Sequence, residues 1–187
     1  KKIRTKLDAN LNEDIFQKIK VSTEITRELQ SNSFGVEIKT LNNIFKNEEK
    51  YMEICSESAK IFVTLMSYLG VYSRILWTNG HTLAEVWDGK NWIMTDTLSN
   101  VYSLDNKNGN FLSFSETVKL FPNVNFKQIS IKKYELYDYN SDREKLHNII
   151  KNNNLIFLMS NQNVYSFDTT KEKISRVINS FTLNHKF

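Results

Sequence analysis

The stretch HTLAEVWDGKNWIMTD, residues 81–96, decides the fold that the sequence predicts. It places Asp88-Gly89 between two apolar runs, which is a strong signal for a β-hairpin because a type I′ turn requires positive φ at both central residues. If Asp88 and Gly89 form a two-residue loop, His81 lies directly opposite Asp96, with Cβ atoms roughly 4.5–5.5 Å apart. The sequence therefore predicts a hairpin whose open end carries an imidazole beside a carboxylate.

Two further side chains face each other in this register. Glu85 is paired with Trp92 on the face that carries His81, where both can orient the hairpin or line a cleft. A four-residue loop with the same centre keeps the register, whereas a three-residue loop slips it by one and places Thr97 opposite His81. The partner of His81 therefore depends on the length of the loop.

An imidazole held by a carboxylate supplies two members of a nucleophilic triad, and the chain contains one cysteine that could be the third. Cys55 stands at the start of a helix predicted from Ile54 to Leu69, which Gly70 ends. In the first turn of a helix, the positive end of the dipole lowers the pKa of a thiol. The alternative is that Cys55 is a small buried hydrophobic residue, the common fate of a free cysteine.

Taken in order, the segments around these three residues resemble the transglutaminase-like superfamily of cysteine enzymes. CSESAKIFVTLMSYLGVYSR (55–74) is similar to the cysteine helix of that family followed by Gly-Ile-x-Ala-Arg, and HTLAEV (81–86) is similar to His-x-Trp-x-Glu-Val. Trp92 and Asp96 fit the pattern Trp-x-x-x-Asp. The resemblance covers roughly residues 45–100, about a third of the chain.

The resemblance implies a catalytic triad and a papain-like fold. In that family the cysteine is the nucleophile, the histidine is its general base and the aspartate orients the histidine, which assigns these roles to Cys55, His81 and Asp96. The cysteine helix of the family packs against the antiparallel sheet that carries the other two residues. Arg74 matches the arginine of the family, and we expect it to form a structural ion pair.

The chain departs from the family pattern at three places. Glu53 stands two residues before the cysteine, where glycine is common, and a carboxylate there would oppose thiolate formation. Leu83 replaces the usual tryptophan two residues after the histidine, and Thr97-Leu98 replaces Pro-Thr after the aspartate. None of these changes removes a member of the triad.

The order of the predicted elements, helices first and then mostly antiparallel strands, is typical of the α+β class. We expect one domain over residues 1–187, in which residues 101–187 complete the sheet or add a small subdomain. After the hairpin, residues 98–113 are expected to be loop-like, and SFSETVKLF to form a short helix capped by Ser113 or Ser115. The remaining predicted elements are helices at 10–30, 36–51, 54–69 and 141–153, strands at 71–77 and 126–137, a terminal hairpin formed by LIFLMS and NVYSFD, and a helical tail at 170–181.

Composition narrows the possible partners and cofactors. The net charge is +4, but the basic residues are scattered, and the densest cluster, KKIRTK, is interpreted as a solvated end rather than a nucleic-acid or membrane patch. No apolar run approaches the ~20 residues of a membrane span, and no signal peptide is recognised, so the compartment is undetermined. His81, His147 and His185 lack metal-binding spacing, and we expect no metal and no organic cofactor. We expect His147 to be exposed and His185 to be peripheral.

These patterns predict a cysteine hydrolase that cleaves an amide or peptide bond through an acyl-thioester, with a peptide or protein as substrate. Two alternatives remain: an acyltransferase that passes the acyl group to an amine, and a non-catalytic binding module that retains the fold. Tyr51, expected one helical turn before Cys55, can help to stabilise an oxyanion, while Glu85 and Trp92 can line the cleft. We expect Trp77 to pack rather than to contact substrate, and the sequence does not indicate the oligomeric state.

Overall fold

The computed structural model describes residues 2–31, 41–46, 51–52, 54–78, 81–132, 139–152 and 156–160. Within them, the fold is α+β, as the sequence predicts, and an antiparallel sheet of six strands has helices on both faces. No helix in these ranges has the length and apolar character needed to cross a membrane.

The helices and strands follow in this order along the described chain. The helices are α1 (Lys2–Asp8), α2 (Ile15–Leu29), α3 (Leu41–Lys46), α4 (Cys55–Tyr68), α5 (Phe114–Leu120) and α6 (Tyr139–Asn152). The strands are β1 (Gln30–Ser31), β2 (Tyr51–Met52), β3 (Ser73–Thr78), β4 (His81–Trp87), β5 (Trp92–Asp96), β6 (Val101–Asp105), β7 (Val124–Gln128) and β8 (Ile156–Ser160). The sheet has the order β7-β6-β5-β4-β3-β8, and β1 pairs with β2 in parallel outside it.

Helix α4 confirms the predicted helix over residues 54–69. Apolar residues at helical spacing, including Ala59, Phe62 and Met66, form a fully buried face. Gly70 follows the helix with φ 72°, a conformation that glycine adopts without a steric penalty. The backbone N–H of Val71 donates to the carbonyl of Met66, and the chain then turns back into β3.

The two faces of the central strands belong to two separate hydrophobic cores. Ile75 on β3 and Val86 on β4 point to the core formed with α2 and α4. Leu76, one position after Ile75, and Leu83, three positions before Val86, point to the core formed with α5 and α6. Strand β4 is therefore buried on both faces, and its polar residues His81, Thr82 and Glu85 are buried together with its apolar ones.

The hairpin is present, but its predicted register is wrong. Trp87 pairs with Trp92 and Glu85 pairs with Met94, so the loop has four residues, 88–91, and the predicted pairing of Glu85 with Trp92 is not formed. In this register Asp96 falls opposite Leu83 rather than His81.

The side chain of Asp88 explains the longer loop. Its carboxylate accepts hydrogen bonds from the backbone N–H of Lys90 at 2.7 Å and of Asn91 at 2.6 Å, which is the Asx-turn interaction that aspartate forms with a backbone two residues on. These bonds draw Asn91 into the loop. The resulting register differs from the predicted one by two residues, and because side chains alternate with a period of two, His81 and Asp96 remain on the same face.

Several other predictions require correction. Residues 98–113 are not all loop, because they include β6. The predicted strand at 126–137 overlaps β7 only in part, because β7 begins at Val124 and ends at Gln128. KKIRTK is not simply a solvated end, since it forms most of α1 and its Ile3 is buried. Helix α6 begins two residues before the predicted start, and β8 pairs with β3. NVYSFD, the tail at 170–181, His185 and Glu53 lie outside the described residues.

Candidate active site

Cys55 is the first residue of α4, and its side chain is half-buried. The residue before it, Ile54, has extended backbone and caps the helix without a side-chain hydrogen bond. The first N–H groups of a helix have no partner within the helix and carry the positive end of its dipole. The thiol therefore lies where negative charge is stabilised and where backbone donors are available to a bound group.

His81 and Asp96 meet at the same end of the sheet because β4 begins where the antiparallel β5 ends. The Nε2 atom of His81 lies 2.8 Å from Oδ2 of Asp96. They are diagonal neighbours across the two strands, at a separation that long side chains span. His81 is 7% exposed and Asp96 1% exposed, so their contact is shielded from water.

The Asp96 carboxylate is fixed by three further hydrogen bonds. The hydroxyl of Ser99 donates to Oδ2 at 2.7 Å, and the backbone N–H groups of Leu98 and Ser99 donate to Oδ1 at 3.0 and 3.2 Å. A buried carboxylate is costly unless its oxygens are hydrogen-bonded. The turn after β5 therefore stabilises the charged carboxylate of Asp96 and fixes its orientation toward His81.

Cys55 completes the cluster. Its sulfur interacts with the side chain of His81 and with the backbone and the side chain of Thr82. Because Asp96 occupies Nε2 of the imidazole, Nδ1 is the ring nitrogen left for the sulfur. The structure thus brings together the three residues that the sequence assigns to a triad, in the order Cys55, His81, Asp96.

The three groups shift one another's ionisation. Burial acts against ionisation of Cys55, but hydrogen bonds and charge from His81, with the bonds from Thr82, lower the pKa of the thiol. Burial likewise acts against protonation of His81, but the charge and hydrogen bond of Asp96, with the contribution of Cys55, raise the pKa of the imidazole to about 10. Burial would raise the pKa of Asp96, yet His81 and Ser99 lower it. At neutral pH His81 is therefore an imidazolium and Asp96 a carboxylate, and the imidazolium favours the thiolate form of Cys55.

Glu85 and Trp92, the predicted cleft residues, lie elsewhere. Glu85 is four residues from His81 along β4, roughly 13 Å away. Its Oε2 accepts from Nε and Nη2 of Arg74 at 2.7 and 2.6 Å, and its Oε1 accepts from the backbone N–H of Phe114 at 2.7 Å. The ion pair expected for Arg74 is confirmed, and its guanidinium also lies 3.7 Å from the centre of the Trp92 ring. Glu85 therefore joins β3, β4 and α5, and Trp92 packs against Arg74. The structure brings neither Glu85 nor Trp92 to the cysteine.

Tyr51 does not lie one helical turn before Cys55. It belongs to β2, where its backbone pairs with Gln30, and α4 begins only at Cys55. The helical spacing that suggested a role at the oxyanion is therefore wrong, and the position of the Tyr51 side chain lies outside what the structure describes.

Two residues that contact the cluster were missed in the sequence. Thr82 follows His81, and strand alternation turns it to the face against which α4 packs. Ser99 follows Asp96 by three residues, a spacing at which an aspartate often binds a nearby backbone or hydroxyl group. The Asp-x-x-Ser pattern was the available signal for Ser99, whereas the role of Thr82 depends on where α4 docks.

Other candidate sites are distant from this cluster or lack the necessary residues. Among the residues that the structure describes, no group of three or more His, Cys, Asp or Glu side chains could hold a metal ion. His147 is not exposed as expected, because it is half-buried with its ring centre 4.9 Å from that of Phe126. A cleft of about 620 Å³ beside the hairpin loop and α5 contains no member of the triad; its charged lining residues are Lys90, Asp105, Glu116 and Lys119.

The arrangement can perform nucleophilic chemistry. Cys55 provides a thiolate, His81 provides a proton for a leaving group, and the backbone N–H at the start of α4 can donate to a developing oxyanion. Comparison of the chain with protein-family models, curated proteins and solved structures finds no match.

Proposed function

We propose that this protein is a cysteine hydrolase of amide or peptide bonds, with Cys55 as nucleophile, His81 as acid and base, and Asp96 as the residue that orients His81. The observation that carries the proposal is the cluster at the start of α4 in which His81 interacts with the thiol of Cys55 and is hydrogen-bonded to the carboxylate of Asp96. A half-exposed thiolate with a buried imidazolium partner is the arrangement that activates a cysteine for covalent catalysis.

We also propose that the domain is papain-like and of the transglutaminase-like type. Three features support this assignment: the cysteine begins a helix, that helix packs against β4, and β4 and the neighbouring β5 supply the histidine and the aspartate. The same three segments carry the resemblance in the sequence. Their spatial arrangement agrees with the order in which the family uses them.

The reaction proceeds in two halves. The thiolate of Cys55 attacks the amide carbonyl carbon to form a C–S bond, and the oxygen that becomes negative accepts a hydrogen bond from the backbone N–H of Cys55. Breakage of the C–N bond expels the amine, which takes the proton of the His81 imidazolium and leaves an acyl-thioester. Neutral His81 then accepts a proton from a water molecule while the oxygen of that water attacks the thioester carbon. Breakage of the C–S bond releases the carboxylic acid and restores the thiolate and the imidazolium.

The test is to incubate the protein with a broad set of peptides and a labelled primary amine at millimolar concentration, and to follow the products and the mass of the protein. We expect free acid as the main product, together with an acyl adduct on Cys55, and loss of both in Cys55→Ala. Asp105→Asn is a matched control, because Asp105 is a strand-end aspartate whose carboxylate binds only the turn after β6 among the bonds described.

The other outcomes select the alternatives. An amide of the labelled amine as the main product, lost in Cys55→Ala, would show that the acyl group is transferred rather than hydrolysed. If no peptide in the set gave a product or an acyl adduct, the hydrolase proposal would be rejected in favour of a non-catalytic module.

A further inference from the structure

A partly exposed tryptophan lies beside the candidate nucleophile. Trp77 on β3 pairs directly with Thr82 on β4, so their side chains share one face of the sheet, with Cβ atoms roughly 4.5–5.5 Å apart. Thr82 in turn contacts the sulfur of Cys55. A single residue therefore separates the indole from the thiol.

The end of α4 leaves this tryptophan uncovered. Ser73, Ile75 and Trp77 point to the same face of β3, and the first two are 0% and 2% exposed because α4 and its neighbours cover them. Trp77 is 40% exposed, although β3 has a paired strand on each side. Because α4 starts at Cys55, the helix does not cover the last residues of β3. The expectation that Trp77 is a packing residue is therefore only partly met.

A second large apolar side chain is exposed directly before the thiol in the chain. Ile54, directly before Cys55 in the chain, is 43% exposed. Isoleucine and tryptophan gain stability from burial, and exposed apolar groups that collect around a reactive residue are typical of a ligand-binding surface. The two side chains come from different elements, and each is next to a residue of the cluster: Ile54 precedes Cys55 in the chain, and Trp77 pairs with Thr82 across the strands.

We propose that Trp77 and Ile54 form a substrate subsite that takes a large apolar side chain, aromatic or branched aliphatic, on a residue that flanks the scissile amide. This inference rests on the proposed hydrolase function and names its substrate class: peptides with such a residue next to the bond that is cleaved. The indole provides a flat, partly exposed apolar surface separated from the sulfur by Thr82 alone. Thr82, which is buried between the indole and the sulfur, fixes the spacing of the two.

The first measurement compares two peptides that differ only in phenylalanine or glycine beside the scissile bond. We expect the protein to prefer the phenylalanine peptide by at least roughly 10-fold in kcat/KM, a ratio that apolar pockets commonly reach. Trp77→Ala should reduce the ratio of kcat/KM for the two peptides to within about twofold of one, whereas Trp77→Phe should retain the preference. Tyr72→Ala is the matched control, since Tyr72 is an aromatic residue 51% exposed on the same polypeptide segment, but roughly 16 Å from Trp77 along an extended chain.

A second measurement does not require turnover. The rates at which iodoacetamide and N-benzyl iodoacetamide alkylate Cys55 give a ratio that reports binding of the benzyl group beside the sulfur. Trp77→Ala should lower this ratio, and Tyr72→Ala should not. If the ratio depends on Trp77 although no peptide is cleaved, the subsite stands and the hydrolase proposal fails.

Two results would overturn the subsite. One is equal kcat/KM for the two peptides in the unmodified protein, together with equal alkylation ratios in the protein and in Trp77→Ala. The other is an equal loss of activity toward both peptides in Trp77→Ala and in Trp77→Phe, which would show that the indole supports the fold around Cys55 rather than the substrate.

Discussion

Cys55 depends on its neighbours for its charge. Burial raises the cost of ionising a thiol, and the hydrogen bond and the positive charge of His81 overcome that cost. Thr82 adds two further contacts, one from its backbone and one from its side chain. The residue that follows the histidine therefore has a proposed role of its own: it stabilises the sulfur in the charged form before substrate binds.

Replacement of Thr82 by valine tests this role, because valine has a similar shape and no hydroxyl donor. The pKa of Cys55 should rise, and the midpoint of its alkylation profile with iodoacetamide should move to higher pH. Activity at pH 6 should fall on the order of 10-fold, since a hydrogen bond to a charged group contributes about 1.5–3 kcal/mol. Thr82→Ser retains the hydroxyl and should keep the original midpoint. An unchanged midpoint in Thr82→Val would assign the hydroxyl to packing alone.

Asp96→Asn should lower activity by roughly 10²–10⁴-fold, by analogy with triad carboxylates. The amide can donate to Nε2 of His81 and hold the imidazole neutral, with its proton on Nδ1, the nitrogen that faces Cys55. The carboxylate raises the pKa of His81 to about 10, so its loss should also move the alkaline limb of kcat/KM to lower pH. The pH profile and the yield of folded protein are to be measured together. Full activity at every pH would leave Asp96 no part in the mechanism.

The three members of the cluster could be predicted from the sequence, but their contacts could not. Cys55, His81 and Asp96 were identified because their order and spacing follow a pattern in which each residue type has a chemical task. Thr82 was missed, since its importance depends on the docking of α4 against β4, which no local pattern encodes. His81 was correctly predicted as the partner of Asp96, but for an incomplete reason. The two residues are diagonal neighbours rather than directly opposite, and they share a face because side chains along a strand alternate with a period of two.

Among the elements, the helix and the hairpin were the most predictable. Helix α4 has apolar residues at a spacing of 3.6 and a glycine after its end, and the hairpin has a turn signal between apolar runs. Strand β6 was missed because only five residues, VYSLD, separate two polar turns, so alternation over so short a segment is weak. The hairpin register was missed because the Asp88 side chain, rather than the backbone preference of Asp-Gly, determines the loop length.

In the observed register Glu85 forms a structural ion pair with Arg74 instead of lining a cleft as predicted. Glu85→Gln tests this reassignment. Because Glu85 is 1% exposed and holds both Arg74 and the first N–H of α5, its neutral replacement should lower the free energy of unfolding by about 2–3 kcal/mol. The rate of Cys55 alkylation should not change, since the ion pair lies roughly 13 Å from His81. Denaturant unfolding measures the first quantity.

Glu116→Gln is a suitable control for Glu85→Gln, because Glu116 is an exposed member of the capping box of α5 and glutamine can replace it there. It should leave the free energy of unfolding within about 0.5 kcal/mol. If Glu85→Gln instead reduced alkylation or turnover without loss of stability, Glu85 would belong to the cleft after all.

At the scale of the whole molecule, the site lies where three elements end. Helix α4 begins, β4 begins and β5 ends at one end of the sheet, while the cores on the two faces hold these elements in place. The ionised groups are therefore fixed by packing that extends through the described fold. Their charge states must in turn contribute to the stability of that fold, because a group whose pKa differs between the folded and unfolded chain links folding to pH.

The pair formed by Cys55 and His81 gives this linkage a particular form. Between about pH 6.5 and 9.0, the usual pKa values of the imidazole and the thiol, the unfolded chain holds one proton on the thiol of Cys55. Once the pH exceeds the lowered pKa of Cys55, the folded chain holds one proton as well, on His81, whose pKa is raised to about 10. Because both states then bind the same number of protons, the pair should add no slope to the free energy of unfolding from that pH up to 9.0.

Cys55→Ser should make the free energy of unfolding depend on pH, because it removes the thiol whose ionisation cancels the effect of His81. Serine does not ionise, so above pH 6.5 the folded variant keeps a proton on His81 that its unfolded chain has lost, and a raised pKa contributes stability that disappears as pH rises. The variant should therefore lose stability relative to the original protein between pH 6.5 and 9.0. The upper limit is about 1.4 kcal/mol per pH unit, reduced by solvent at the half-exposed position 55. Urea unfolding at intervals of half a pH unit measures the difference, and two parallel curves would mean that the folded protein keeps the thiol of Cys55 protonated.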